Sequence, residues 1–273
     1  MAKILVLAHE YDLFEERHFL VQELGACWAA AGHEVLVHEG TRDVPRADVA
    51  ILHVDATVVP SEYLEALRGS RVVVNGATPD IGKRTYSENL VGPFDGYRGP
   101  VIVKTNANAG GVPEWLHESV ARKRGAPRVG PPSRHMTGRY PVYPSFEKVP
   151  VNLRLDPELV IEKFLPERDE HGFAARHYLF FGDRERCSRI VGPHPVVKAA
   201  DAIDRTLVEV PDEIRAWRRK LGFDYGKLDF VIHEDKPVLI DANRTPTLPR
   251  GNVAAAIREG LEELAQGITA FLR

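Results

Sequence analysis

The sequence predicts an α/β protein that begins with a doubly wound parallel sheet. Apolar runs alternate with helical segments from Lys3 to about Lys83, which is typical of parallel strands joined by helices. Later, two alternating apolar runs flank the polar segment Glu234 to Lys236, and this pattern indicates a β-hairpin. The chain has 273 residues, 44% hydrophobic and 27% charged, which is typical of a soluble globular protein with room for two or three lobes.

The first lobe is expected to end near Lys83. Its expected strands are Lys3 to Ala8, Glu34 to His38, Val49 to Val54 and Arg71 to Val74. Its expected helices are Phe14 to Ala31 and Ser61 to Arg68. Ligands of such sheets bind beyond the carboxyl ends of the strands, so the segment from His9 to Asp12 either contacts a substrate or caps the next helix. No Gly-x-Gly-x-x-Gly follows the first strand and no Gly-Lys-Ser/Thr motif occurs, which argues against a dinucleotide oxidoreductase and a P-loop ATPase.

A second unit begins with a strand that delivers Lys104 to a loop of small residues ending in Gly110 and Gly111. Backbone N–H groups of such a loop bind anions and a lysine adds positive charge for phosphate, although an ordinary surface turn is the alternative. A basic stretch between Ala121 and Tyr140 then favours either a mobile lid over an anionic ligand or an exposed loop. Its basic residues are Arg122, Lys123, Arg124, Arg128, Arg134 and Arg139.

The following segments predict further strands and two helices. A strand from Leu159 runs into a connector that ends at Pro166, and later elements are expected at Ala174 to Phe181, Cys187 to Val191, Asp212 to Leu221 (helix) and Asn252 to Leu272 (helix). Asn252 is the expected N-cap of the last helix. Arg176 shares a strand face with Tyr178 and Phe180, where a guanidinium is costly unless an anion or a carboxylate meets it.

The predicted hairpin brings acidic side chains together. If His233 pairs with Pro237, Asp229 lies directly opposite Asp241, and Asn243 shares their face. Two carboxylates about 5 Å apart repel each other unless a cation neutralises them, and Mg²⁺ prefers hard oxygen ligands of this kind. A solvated polar face is the alternative. The opposite face is expected to be apolar throughout, with Leu228, Phe230, Ile232, Val238, Ile240 and Ala242.

Charge and cysteine content exclude several classes of protein. The formal net charge is −3, whereas nucleic-acid binders usually carry a basic surplus. Cys27 and Cys187 are the only cysteines, so a disulfide framework is not expected. The N-terminal apolar run from Ile4 to Ala8 is too short for a signal peptide or a membrane span. These features predict a cytoplasmic protein with neither nucleic acid nor membrane as a partner.

The order of these motifs resembles the ATP-grasp superfamily, which includes D-alanine ligases, glutathione synthetases and ribosomal-protein glutamate ligases. The resemblance covers about Lys83 to Pro246 and includes Ile-Glu-Lys-Phe-Leu at 161–165 and Asp-Ala-Asn-Arg-Thr-Pro at 241–246. It implies an ATP-grasp fold preceded by a Rossmann-like α/β domain. The implied divisions are 1–83 for that domain, 84–165 for a central subdomain and 166–273 for a C-terminal subdomain with the metal site. The central subdomain looks trimmed, because only about twenty residues separate Lys83 from Lys104.

By position, the resemblance implies a role for each candidate site residue. The lysines that would hold the ATP phosphates are Lys83 and Lys104. The hinge that would receive adenine is formed by Glu162, Lys163, Phe164 and Leu165. The ligands of Mg²⁺, with Mn²⁺ as an alternative, would be Asp229, Asp241 and Asn243. The catalytic arginines beside the transferred phosphate would be Arg176 and Arg244. The resemblance leaves the ribose contact open between Glu167 and Asp169.

The implied activity is that of an ATP-dependent ligase that forms an amide or peptide bond through an acylphosphate. Its substrates would be a small-molecule or peptide carboxylate and an amine. A small-molecule kinase and a non-catalytic nucleotide-binding protein are the alternatives. Substrate specificity is expected to come from the first lobe, the basic stretch and the region after Pro246, including Arg250. The superfamily offers a homodimer as one option and leaves the oligomeric state open.

Overall fold

A computed structural model describes residues 1–126, 134–136, 138, 140–198, 201–248 and 255–273. In the last range, side chains are described from residue 258 onwards. Its strands are β1 Lys3–Ala8, β2 Glu34–Glu39, β3 Val49–His53, β4 Val72–Val74, β5 Val101–Thr105, β6 Val142–Tyr143, β7 Leu159–Lys163, β8 Glu167–Asp169, β9 Gly172–Phe181, β10 Arg184–Gly192, β11 Asp204–Leu207, β12 Tyr225–His233 and β13 Lys236–Asn243. Its α-helices are α1 Leu20–Ala30, α2 Ser61–Ala66, α3 Lys83–Tyr86, α4 Val112–Lys123, α5 Val151–Arg154, α6 Asp212–Lys220 and α7 Ala255–Ala265. The three sheets consist of β1 to β4, β5 to β7 and β8 to β13.

The first sheet is parallel, as predicted, with the strand order β2-β1-β3-β4. Its central strand β1 is apolar on both faces, because Ile4 and Val6 pack in one core cluster and Leu5 and Leu7 in another. The prediction of one helix from Phe14 to Ala31 is wrong at its start. Phe14–Glu16 is an isolated 3₁₀ turn, and α1 begins only at Leu20.

The central sheet has the order β6-β5-β7 and is antiparallel. The helix α4, which follows the loop of small residues, was not predicted from the sequence. Gly111 is its N-cap with a φ of 80°, Pro113 lies in its first turn, and basic residues end it. Arg122 and Lys123 are therefore helical rather than part of a loop.

The hairpin of β12 and β13 has the predicted register at its carboxylates but a different turn. Asp229 pairs with Asp241 as predicted, whereas His233 pairs with Lys236 rather than Pro237. Residues 234 and 235 have φ values of 49° and 61°, which gives a two-residue turn whose twist matches that of the strands. A β-bulge after Asp229 absorbs the difference of one residue.

The same bulge divides the apolar side chains of the hairpin between two faces. Leu228 and Phe230 pack in a core cluster on one face of the sheet. Val238 and Ile240 instead contact Val231 in a cluster on the other face. The prediction that Val238 and Ile240 share the face of Leu228 is wrong, because an extra residue inverts the alternation of side chains beyond it.

The last helix packs on the first lobe although it follows the third sheet. Leu261 and Leu264 of α7 share a core cluster with Leu24 of α1. The Trp28 indole N–H donates to the Ala265 carbonyl over 2.8 Å. These contacts tie the two ends of the chain together. The predicted N-cap Asn252 lies outside the described residues, and none of the described helices is long and apolar enough to cross a membrane.

Candidate active site

A cavity of about 150 Å³ lies between the central and C-terminal sheets. Ile102, Ala175, Val231 and Ile240 supply apolar walls, and charged side chains form its other end. The predicted site residues that line it are Lys83, Lys104, Lys163, Phe164, Leu165, Asp229 and Asp241. The fold therefore brings together residues that are far apart in sequence at one concave surface, which is where small ligands bind.

A larger open cleft of about 410 Å³ lies beside α6 and shares no lining residue with this cavity. Two of its arginines are already bonded within the protein. Arg215 pairs with Glu185 at 2.8 Å, and Arg218 donates to the Phe223 carbonyl at 3.0 Å. This cleft lacks the facing carboxylates and is not the candidate site.

Lysines and carboxylates pair one to one at the charged end of the cavity. The distances between the paired atoms are 3.1 Å for Lys83 Nζ and Asp241 Oδ1, 2.7 Å for Lys104 Nζ and Glu162 Oε2, and 2.9 Å for Lys227 Nζ and Asp229 Oδ2. Facing carboxylates would otherwise destabilise the hairpin. The lysines therefore neutralise the charge repulsion that the sequence predicted.

Asp241 lies at the centre of this charged group. Its side chain is 30% exposed, and the Tyr86 hydroxyl donates to its Oδ1 over 3.4 Å. Burial by itself would raise the pKa of Asp241, but the ammonium groups of Lys83, Lys104 and Lys227 outweigh it and hold this pKa below its usual value. Asp241 is consequently a carboxylate at neutral pH.

The oxygens of the hairpin fit a small divalent cation. Asp229 Oδ1 is buried without a hydrogen-bond partner, and His177 Nε2 lies 3.8 Å from it. Asn243 Oδ1 accepts from the Thr245 N–H at 2.8 Å. Within the described ranges, no three His, Cys, Asp or Glu side chains form a metal-binding group. Mg²⁺ takes only one or two carboxylates when nucleotide phosphates supply further oxygens, so two carboxylates and an amide suit it.

The hinge residues line the apolar end of the cavity, with one exception. Lys163, Phe164 and Leu165 lie at its wall. Glu162 is only 2% exposed, and its carboxylate binds Lys104 and the Ser87 hydroxyl instead. Glu162 therefore influences the cavity through Lys104 and does not itself contact the space where the adenine base is expected.

Solved structures similar to this chain are ATP-grasp enzymes. A D-alanine–D-alanine ligase from Bacillus anthracis complexed with ATP has 13% identity and a TM-score of 0.54, over 100% of this chain and 98% of that one. A RiPP-associated ATP-grasp ligase from Chryseobacterium gregarium, in complex with ADP and a leader and core peptide, has 11% identity and a TM-score of 0.57, over 98% and 97%. The RimK domain ATP-grasp protein of Sphaerobacter thermophilus has 14% identity and a TM-score of 0.52, over 99% of both chains.

The chain has the ATP-grasp fold. No family model and no curated protein matches the sequence. The likeness therefore concerns architecture, and the chemistry of this ATP-grasp chain has to be argued from its own side chains.

Arg176 does not line the cavity of this ATP-grasp fold. Its β9 position pairs with Phe230, on the face of the sheet opposite Asp229, and its guanidinium binds Glu167. The carboxylate that the sequence required for a buried arginine is therefore Glu167. Of the two candidates for the ribose contact, Glu167 binds Arg176 and Asp169 binds Arg189, and neither lines the cavity.

Arg244, the other predicted catalytic arginine, does not line the cavity either. It is fully buried, and its terminal nitrogens donate to the carbonyls of Thr78 at 2.5 Å and Ala56 at 2.6 Å in the first lobe. Burial lowers its pKa to about 10. Arg244 anchors the end of β13 to the first lobe, because its main donors are committed to backbone carbonyls.

Three functional candidates were missed in the sequence. Lys227 lies two residues before Asp229 on the same strand face, so alternation alone could have revealed it. Tyr86 reaches Asp241 from the helix that also carries Lys83. His177 pairs with Asp229 across β9 and β12, and only the strand register discloses that neighbour.

The loop of small residues lies directly beneath the described part of the basic stretch. The Met136 N–H donates to the Gly110 carbonyl at 2.7 Å. A Cβ atom on Gly111 would lie 2.2 Å from the Arg134 carbonyl, so this close approach requires glycine. Arg128, Arg139 and Arg250 lie outside the described residues.

Proposed function

We propose that this protein is an ATP- and Mg²⁺-dependent ligase that joins a carboxylate to an amine through an acylphosphate. One observation carries the proposal: Asp229 faces Asp241 among Lys83, Lys104 and Lys227 at the mouth of an apolar cavity. A purely structural hairpin gains nothing from two facing carboxylates that need compensating charges. The similar structures include proteins solved with ATP and with ADP and Mg, which supports a nucleotide at this site.

The cavity side chains have separate tasks in this scheme. Phe164, Leu165 and Val231 would enclose the adenine ring, whose planar faces suit apolar walls. Lys83 and Lys104 would bind phosphate oxygens, and Asp229, Asp241 and Asn243 would hold Mg²⁺ or Mn²⁺. The metal neutralises charge on the phosphates when it is bound. Positioning and charge neutralisation account for most of phosphoryl transfer, so no side-chain nucleophile is required.

Calorimetry of ATP binding tests the proposed metal site. Wild type should bind ATP more tightly with Mg²⁺ than without, and the Asp229→Asn/Asp241→Asn variant should lose that dependence, because its neutral amides bind the cation far less well. The control is Asp235→Asn, an exposed aspartate in the turn of the same hairpin. Asparagine tolerates the positive φ of that position. If folded wild type does not bind ATP, both the proposed ligase function and the kinase alternative are refuted.

A second test concerns Lys104. Lys104→Met should weaken ATP binding by about tenfold or more, since it removes a charged phosphate donor and keeps the apolar stem. Because Glu162 would lose its partner, the Lys104→Met/Glu162→Gln variant restores charge balance and should show the same weakening. Lys236→Met changes an exposed lysine of the hairpin and should bind ATP normally. Unchanged affinity in both Lys104 variants would move the phosphate site elsewhere.

Product analysis separates the ligase from the kinase. A screen of carboxylates with hydroxylamine as the nucleophile should give acyl hydroxamate and free phosphate if an acylphosphate forms. A stable phosphorylated product without hydroxamate would instead support the kinase. Candidate acids include small molecules and peptides, because the similar structures include a ligase bound to leader and core peptides.

A further inference from the structure

The proposed metal ligand Asn243 is linked through Thr245 to Asp55, which lies just beyond β3 at the switch point of the first sheet. The chain leaves β1 towards β2 on one side, while β3 and β4 lie on the other side. Ligands of open α/β sheets bind outside the carboxyl ends of the strands at this point. The segment after β1 meets the segment after β13 there, since the Leu20 N–H donates to the Pro246 carbonyl and the Leu248 N–H to the His18 carbonyl, both at 2.8 Å. The segment after β3 joins them through the Thr245 hydroxyl, which donates to Asp55.

Arg17 has hydrogen-bond donors to spare at this edge of the first sheet. One terminal nitrogen binds Asp55, whose side chain is 3% exposed, and the guanidinium lies 4.4 Å from the centroid of the Phe19 ring. A guanidinium has five N–H donors, and over the part of the chain that the structure describes, Asp55 is the only side chain that accepts a hydrogen bond from this one. The Arg17 side chain is 25% exposed, so its remaining donors are within reach of a ligand.

Asp55 connects this arginine to the proposed metal site. Its other oxygen accepts from the Thr245 hydroxyl. The Thr245 N–H in turn donates to Asn243 Oδ1 at 2.8 Å. Two buried residues therefore separate Arg17 from a proposed metal ligand. This arrangement fixes the guanidinium in place before a ligand arrives, which is the requirement for a selective binding group.

The neighbouring Arg244 cannot take this role. Its terminal nitrogens bind two backbone carbonyls and it is fully buried, whereas Arg17 is fixed by one carboxylate and partly exposed. A fixed, planar fork of donors is suited to a carboxylate, which it can bind with two parallel hydrogen bonds.

We propose that Arg17 binds the carboxylate of the acid substrate and that Asp55 and Thr245 position its guanidinium. The assignment rests on the proposed ligase function, because a carboxylate is expected next to Arg17 only if the adjacent site binds ATP and Mg²⁺ and phosphorylates an acid. Arg17 thus selects for acids. It holds the substrate carboxylate, which accepts the phosphoryl group, beside Asn243.

The test uses a panel of probe acids on the intact protein with MgADP. The probes are acetate, glycine, D-alanine, L-alanine, L-glutamate and succinate, and the readouts are thermal stabilisation and calorimetric affinity. At least one acid should bind wild type, and Arg17→Gln should weaken that binding by about tenfold or more while MgADP affinity stays the same. Arg17→Lys should recover part of the affinity, since it restores charge but not the fork of donors.

The controls separate binding from folding. Arg17→Gln leaves the buried Asp55 without its partner. The Arg17→Gln/Asp55→Asn variant removes both charges, so it should fold normally and bind the acid as weakly as Arg17→Gln does. Arg68→Gln alters a first-lobe arginine that is 79% exposed and should match wild type. Equal affinity for the acids in wild type and Arg17→Gln, or no acid binding by wild type that binds MgADP, would overturn the assignment. Absent MgADP binding would count instead against the proposed function.

Discussion

Asp241→Asn should lower ligase turnover by at least about 100-fold, a loss expected when a group that stabilises transferring charge is removed. The change keeps the size of the side chain, and Asp241 lies on the cavity face rather than in the core, so the fold should remain intact. It removes a proposed metal ligand and the main partner of Lys83, which pairs with it at 3.1 Å. Phosphate release on the best acid and amine pair of the hydroxamate screen measures the effect.

Circular dichroism and melting temperature check that the Asp241→Asn variant is folded. Asp235→Asn in the same hairpin should retain full turnover, because that aspartate is exposed and remote from the cavity. Normal turnover of Asp241→Asn would show that the metal assignment is wrong, even if ATP still binds.

Arg244→Met should lower the free energy of unfolding by about 3 kcal/mol or more, because it leaves buried acceptors without donors. The two carbonyls concerned belong to Ala56 and Thr78, in the lobe that Arg244 joins to β13. For a chain of this size the melting temperature should fall by roughly 5–10 °C. Turnover at a temperature where the variant remains folded should fall less than in Asp241→Asn.

Arg219→Met is the matched control, since Arg219 is an exposed arginine and such surface changes usually stay within about 0.5 kcal/mol. The two roles considered for Arg244 give opposite patterns. An unchanged melting temperature with lost turnover would restore the catalytic role that the sequence resemblance implied. A lower melting temperature with near-normal turnover below it supports the anchoring role.

Arg176 and Arg244 show why the sequence does not decide which of the predicted site residues line the cavity. Both lie at the positions that the motif order indicates, yet neither lines the cavity. A strand sequence fixes which residues share a face, but the partner sheet decides which face meets the ligand. Arg176 therefore shares a face with Phe230 and meets Glu167, while His177 beside it faces Asp229.

The hairpin also shows which features alternation predicts and which depend on the neighbouring strands. Alternation predicted that Asp229 faces Asp241, and that pairing is confirmed. The bulge after Asp229 was not predicted, because a one-residue offset costs little locally and depends on the turn and on packing against β9. Its consequence is that Ile240 lines the cavity instead of the core.

The sequence by itself determined the parallel first sheet, the hairpin with its facing carboxylates, and the order of motifs that indicated the ATP-grasp fold. The sheet and the hairpin are local features, since alternation and turn residues are set by neighbours along the chain, whereas the motif order indicated the fold through its resemblance to a known superfamily. Tertiary structure alone decided that Glu162 neutralises Lys104, that Arg244 anchors two lobes, and that Arg17 and Asp55 lie beside Thr245. Those contacts join residues distant in sequence, and only the packing of the lobes brings them within bonding distance.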